Sequence, residues 1–72
     1  MADIAQPNIF EPDVLYIPKT AAQRLGVSER FLQLDRSTKR SIPYVKIGRF
    51  VRYPGAGLND YVGKNTIGGE AA

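Results

Sequence analysis

The spacing of apolar residues predicts a first short helix near the start of the folded part of the chain. Ala21, Ala22 and Leu25 recur at helical spacing, which predicts a helix over about 19–25 with one apolar stripe. The proline that precedes this segment suits a first helical turn, where its missing N–H would be unpaired anyway. Gly26 then ends the helix, because glycine enters the left-handed conformation without strain.

A second helix is predicted to begin after a link of only three residues. Ser28 is a good N-cap, and Glu29 adds a favourable negative charge to the first turn of a helix over about 29–38. Two short helices joined by so short a turn are typical of the helix-turn-helix motif. The apolar residues expected to face the first helix are Phe31, Leu32 and Leu34.

A β-hairpin is predicted next, because residues 44–47 and 50–53 are rich in β-branched and aromatic side chains. They flank Gly48 and Arg49, and glycine in the first central position suits a two-residue type II′ turn. A loop of this length places Val45, Ile47, Phe50 and Arg52 on one face, and Tyr44, Lys46, Val51 and Tyr53 on the other.

The ends of the chain are predicted to lie outside the domain. Residues 1–14 form a flexible acidic N-terminal arm, either mobile or lying on the domain, residues 15–62 form the folded unit, and residues 63–72 form a flexible, glycine-rich C-terminal tail. Within the folded unit, Leu58 and Tyr61 belong to a short closing helix, for which a proline and two glycines make a weak start.

Composition narrows the function classes. The 72 residues contain no Cys and no His, which excludes disulfides and thiolate sites and removes the commonest metal ligand and general base. We therefore expect no enzyme activity, no metal, no cofactor and no small-molecule substrate. Residues 16–53 hold nine Lys and Arg against two acidic residues, which favours a polyanionic partner. No apolar run is long enough to predict a membrane span, so we expect no membrane partner. The N-terminal residues do not have the pattern of a secretory signal, so we expect a cytoplasmic protein.

Taken together, these segments resemble the excisionase and AlpA-type regulators. The resemblance is carried by residues 21–28 (AAQRLGVS) with Arg30 and Leu32-Gln33, and by residues 43–49 (PYVKIGR) and 51–53 (VRY). Leu58 and Tyr61-Val62 take the place of the family's closing helix. The resemblance implies an α+β fold, a small winged helix related to the MerR DNA-binding head. Where the family often has a tryptophan on the core, this chain has Asp35, so Phe31 or Leu34 is expected to supply that contact.

The resemblance implies that the second helix enters the major groove of DNA and that the hairpin wing lies along the adjacent minor groove. Arg49 matches the family position that reaches into the minor groove, and an arginine on a tight turn suits the negative potential there. The candidate residues of the major-groove helix are Ser28, Glu29, Arg30, Gln33, Arg36 and Ser37. Those of the wing are Lys46, Gly48, Arg49 and Arg52, and Lys19, Lys39 and Arg40 are expected to supply general attraction to phosphates.

Three functions are compatible with this interpretation. The first is a recombination directionality factor, an excisionase that binds and bends attachment-site DNA, acts with a tyrosine-type integrase and associates with further copies of itself on adjacent sites. The second is an AlpA-like transcriptional regulator of a mobile element. The third, more remote, is a protein-interaction adaptor. Salt separates the DNA-binding functions from the third, because neutralising phosphates releases counterions.

Overall fold

Six short elements follow one another within residues 9–67, the part of the chain that the computed structural model describes. They form an α+β fold, as predicted, in which three helices pack against one antiparallel sheet of strand order β1-β3-β2. The elements are β1 (Leu15–Tyr16), α1 (Pro18–Leu25), α2 (Glu29–Ser37), β2 (Val45–Ile47), β3 (Phe50–Pro54) and α3 (Gly55–Lys64).

The link between α1 and α2 is held by the two caps that the sequence predicts. Gly26 has a φ of 77°, and its N–H donates to the carbonyl of Ala22, which closes the last turn of α1. Two residues later the Ser28 Oγ accepts a hydrogen bond of 3.0 Å from the N–H of Phe31 at the start of α2. The predicted pair of helices with a three-residue link is therefore confirmed.

The hairpin has the predicted register and turn. Ile47 pairs with Phe50, and the two strands are joined by only two residues. Gly48 has a φ of 63°, whereas the φ of Arg49 is not positive. A type II′ turn requires this combination at its two central residues. The predicted division into two faces follows from this register. The structure adds β1, which pairs with β3 and which the sequence analysis did not predict.

The core lies between the helices and the inner face of the sheet. The inner face carries Tyr53, which is fully buried, and Tyr16 opposite it on β1. The other buried apolar side chains come from every helix, from the segment before β1 and from the loop after α2: Phe10, Ala21, Ala22, Leu32, Ile42 and Leu58.

The rotation of α2 differs from the prediction. Only Leu32 of its three apolar residues is buried, whereas Phe31 and Leu34 remain 43% and 49% exposed. The expectation that Phe31 or Leu34 fills the core is therefore wrong. Asp35, one turn after Leu32, points inward instead and is buried.

A carboxylate can occupy this buried position because the following loop supplies hydrogen-bond donors. The Asp35 carboxylate accepts hydrogen bonds from the Ser41 hydroxyl at 2.6 Å and from the Ile42 N–H at 3.1 Å. Its backbone carbonyl accepts from the N–H of Arg40, which has a left-handed φ of 53°. These bonds determine the path by which the chain leaves α2 and delivers Ile42 to the core.

Residues 9–14 pack on the domain, which is one of the two possibilities that the sequence left open for the N-terminal arm. Phe10 is buried edge-on against Tyr16, with ring centroids 5.0 Å apart. Its backbone N–H donates to Asn59 Oδ1 and its carbonyl accepts from Asn59 Nδ2. The Glu11 N–H donates to the Tyr16 hydroxyl at 2.8 Å. Although the segment is acidic and contains proline, the burial of Phe10 and these hydrogen bonds hold it on the domain.

The third helix is longer than the short closing segment predicted, and its glycines have a packing role. α3 runs through residues 63 and 64, which the sequence analysis assigned to the C-terminal tail. A Cβ at Gly55 would lie 1.8 Å from the carbonyl oxygen of Glu11, so only glycine admits the N-terminal segment there. The rest of the two predicted tails, residues 1–8 and 68–72, lies outside the described residues.

Docking of the N-terminal segment is tested by a matched pair of substitutions. Phe10→Ala removes a buried ring and should lower the free energy of unfolding by about 3 kcal/mol. Ile9→Ala, at the exposed neighbouring position, should change it by less than about 0.5 kcal/mol. Urea denaturation of the full chain measures both. Equally small effects would show that the segment does not pack on the domain in solution.

The Asp35 network predicts a dependence of stability on pH. Burial acts to raise the pKa of Asp35, but the bonds from Ser41 and Ile42 and the charge of Lys39 outweigh it and hold the pKa below 3.8. The stabilisation is therefore present above the ordinary carboxyl pKa and is lost as pH falls through it toward the lowered pKa. Asp35→Asn should reduce the free energy of unfolding at pH 7 by about 2 kcal/mol, and by less in acid.

The control for this prediction is Asp60→Asn, which removes an exposed carboxylate from α3. It should change the free energy of unfolding at pH 7 by less than about 0.5 kcal/mol. Urea titrations of the three proteins at pH 7 and pH 3 give the comparison. If wild type and Asp35→Asn differed equally at both pH values, the assigned role of the ionised carboxylate would be incorrect.

Candidate nucleic-acid interface

One side of α2 is polar, basic and open to solvent. Arg30, Gln33 and Ser37 are exposed and recur at spacings of three and four, so they share that side of the helix. The Ser37 hydroxyl donates to carbonyls of the preceding turn, and Ser28 is engaged in capping, which leaves Arg30 and Gln33 with the longest exposed polar side chains. Glu29 is exposed in the first turn.

A hydrogen bond joins this side of α2 to the hairpin. The Arg36 guanidinium donates to the hydroxyl of the buried Tyr53 at 2.7 Å, which links α2 to β3. Gln33 precedes Arg36 by three residues and therefore lies on the same side of α2. The resemblance implied that Arg36 lies on the DNA-facing surface. In the structure it is half-buried, and one of its donors holds the hairpin beside α2.

The basic residues of the hairpin do not share a face. Lys46 is exposed on the inner face, Arg52 is half-buried on the outer face, and Arg49 is exposed in the turn beside Gly48. Arg52 donates to the carbonyl of Val51 and lies over the Phe50 ring, so part of its guanidinium is already engaged. Arg49 is consequently the cation that projects farthest along the hairpin.

The remaining candidates are distributed over other parts of the surface. Lys19 is exposed on α1, and Lys39 lies in the loop after α2. Arg40 is exposed beside it, and its Nε donates to the carbonyl of Arg36 at 3.2 Å. Arg24, another cation of α1, donates to the carbonyl of Ile9 and contacts core rings, so it has a structural role.

Among residues 9–67, no ion pair neutralises the positive charge of α2 or of the hairpin. Residues 9–67 contain ten basic and five acidic side chains, and one of the acids is the buried Asp35. The ion pair found in this part of the chain joins Lys64 to Asp60 within α3. A polyanion approaching α2 and the hairpin would therefore meet cations whose charge is uncompensated.

Two apolar residues at the hairpin tip are exposed, although neither was among the predicted site residues. Ile47 and Phe50 are 56% and 58% exposed, although both are large and apolar. The predicted alternation placed them on one face, but the sequence did not show that residues 9–67 leave both side chains on that face exposed.

A second apolar feature is a groove between α2 and α3. Phe31 and Leu34, which the prediction placed in the core, line it together with Tyr61, and Lys39 and Lys64 lie at its margin. The groove lies on the Phe31 side of α2, away from the side that carries Gln33.

Within residues 9–67 no cluster of acidic, His or Cys side chains is arranged to hold a metal ion. No helix of this same part of the chain has the length and apolar character needed to cross a membrane. Comparison of the chain with protein-family models, with curated proteins and with solved structures finds no match.

Proposed function

We propose that the domain is a winged helix that binds double-stranded DNA, with α2 in the major groove and the β2–β3 hairpin as the wing in the adjacent minor groove. The observation that carries this proposal is the Arg36–Tyr53 hydrogen bond, which holds an exposed basic helix beside a glycine-turned hairpin. An α-helix fits the major groove, and an arginine in a tight turn fits the minor groove.

Each group has a role that follows from its chemistry. Gln33 reads adenine through a bidentate pair of hydrogen bonds, and Arg30 contacts guanine or a flanking phosphate. Arg49 enters the minor groove. Lys46, Arg52 and the free donors of Arg36 contact phosphates, which position the protein without reading sequence. Lys19, Lys39 and Arg40 add general attraction to the duplex.

Within this class, the proposal follows the resemblance to excisionases. The protein binds and bends attachment-site DNA in the cytoplasm of a bacterial or phage-infected cell, on the nucleoid, and assists a tyrosine-type integrase in excision. Copies on adjacent sites raise one another's affinity through their effective concentration. The alternative within the class is an AlpA-like regulator that binds a promoter of the mobile element.

The groove between α2 and α3 favours a second candidate, a protein-interaction module. Its lining includes the exposed Phe31 and Leu34 and the half-buried Tyr61, whose apolar surface would be better buried against an apolar partner. An interface of this kind should respond little to salt, whereas DNA binding should weaken steeply as salt rises. A groove on the side away from Gln33 is also compatible with simultaneous DNA binding.

The first test uses a pool of random-sequence duplexes from which the full-length protein selects its site in repeated mobility-shift rounds. Gln33→Ala should relax the preference at one base position, with a loss of about 1–3 kcal/mol of discrimination. Arg49→Ala should weaken binding to all sequences and reduce the slope of log K against log salt by about 0.9.

Lys64→Ala is the matched control, because it removes a positive charge from α3 outside the proposed interface. It should leave both the selected sequence and the affinity close to those of wild type. Wild-type binding by Gln33→Ala and Arg49→Ala, or an equal effect of Lys64→Ala, would contradict the proposed interface.

A further inference from the structure

The tip of the hairpin carries an apolar pair that the described part of the chain, residues 9–67, leaves exposed. Ile47 and Phe50 are directly opposed across the strands, as the last pair before the Gly48–Arg49 turn. Opposed side chains lie about 5 Å apart on the same face, so the two form one continuous apolar surface. Both are more than half exposed.

The side chain of Arg52 lies on the same face of the hairpin as this pair and contacts Phe50. Its guanidinium carbon lies 5.4 Å from the centroid of the Phe50 ring, and its Nη1 donates to the carbonyl of Val51 at 2.8 Å. A cation–π contact of this kind favours one position of the ring, which remains more than half exposed. Such a preorganised ring loses little conformational entropy on insertion into a partner.

The surroundings of the pair identify the chemistry of what covers it. Residues 44–54 include Lys46, Arg49 and Arg52 and no acidic residue. All charged side chains of the hairpin are positive, and the exposed pair beside them is apolar. This combination matches a DNA duplex, whose phosphates are anionic and whose stacked bases are apolar. The pair also adjoins Arg49, so it is continuous with the proposed DNA interface.

We propose that Ile47 and Phe50 form a wedge that enters the minor groove, unstacks one base step and kinks the duplex. This inference rests on the proposed function, in which Arg49 brings the hairpin tip into that groove. Apolar wedges at base steps characteristically open the minor groove and bend DNA toward the major groove. The wedge thus supplies the bending that excision requires, from residues that make no hydrogen bond to a base.

The wedge also adds a preference for sequence. Pyrimidine–purine steps unstack at lower cost than other steps, so the duplex under the hairpin tip should favour TA or CA/TG. This preference should appear in the selected sites at a position separate from the one that Gln33 reads, and it should disappear when the wedge is removed.

The test uses the duplex selected by the wild-type protein, with 2-aminopurine at successive steps and with a donor and acceptor dye at its ends. Wild type should raise 2-aminopurine fluorescence at one step and shorten the end-to-end distance. At saturating protein, Phe50→Ala and Ile47→Ala should lose most of the fluorescence increase and most of the end-to-end shortening. Both variants should still bind the duplex in a mobility-shift assay. Phe50→Leu keeps an apolar wedge and should retain much of the bend.

Val45→Ala is the matched control, because it truncates an apolar residue on the same outer face, opposite Arg52 rather than at the tip. It should bend and unstack DNA like wild type. Circular dichroism should show that all four variants remain folded, since the truncated side chains lie outside the buried core.

The outcomes distinguish the wedge from the proposed function. A wild-type protein that binds the duplex without bending it contradicts the wedge alone. Bending by Phe50→Ala equal to that of wild type also contradicts it, and a loss of association between copies in that variant would assign the pair to a protein contact. If wild type binds no duplex at all, the proposed function fails and the wedge fails with it.

Discussion

The buried carboxylate of Asp35 is the constraint on which the arrangement of this domain depends. It accepts hydrogen bonds from the loop that leaves α2, including one from the N–H of Ile42, and so determines where that buried residue enters the core. The hairpin begins three residues later. Because an unsatisfied buried charge is costly, the loop cannot move away from Asp35 without a large penalty. The carboxylate therefore fixes the geometry between α2 and the hairpin.

A second bond, made by the next residue of α2, joins the helix to the sheet. Arg36, the residue after Asp35, donates to Tyr53 in the middle strand of the sheet. The two consecutive side chains thus bind the loop before the hairpin and the strand within it. Together these bonds hold α2 and the hairpin in one relative position, which the proposed binding to two neighbouring grooves of DNA would require. The exposed cations and the apolar tip then act from a common framework.

Local signals made much of this fold predictable. The Ser28 cap, the left-handed glycines at 26 and 48, and the alternation along the hairpin all depend on residues close in sequence, and the structure has each of them. The general location of the exposed basic surface followed from the same elements, because cations rarely lie in a core. Resemblance to a known family supplied the DNA-binding interpretation, which the geometry supports but which stays a proposal.

The features that could not be predicted depend on partners far away in sequence. Phe10 is held by Asn59, 49 residues later, and no local pattern shows that an acidic, proline-containing segment packs there. Aspartate is usually a surface residue. Only the hydrogen-bond donors of the loop after α2 make the burial of Asp35 favourable. The same buried carboxylate leaves Phe31 and Leu34 at the surface. Exposure of Ile47 and Phe50 likewise depends on which face of the sheet the helices cover.

In the proposed complex, the polar side of α2 and the hairpin tip form one rigid surface that meets the duplex together. An NMR titration of the ¹⁵N-labelled full chain with its selected duplex tests this most directly. The amide resonances of Arg30, Gln33, Gly48 and Arg49 should shift together along one saturation curve. Shifts confined to Phe31, Tyr61 and Lys64 around the groove, with the hairpin unaffected, would contradict the account.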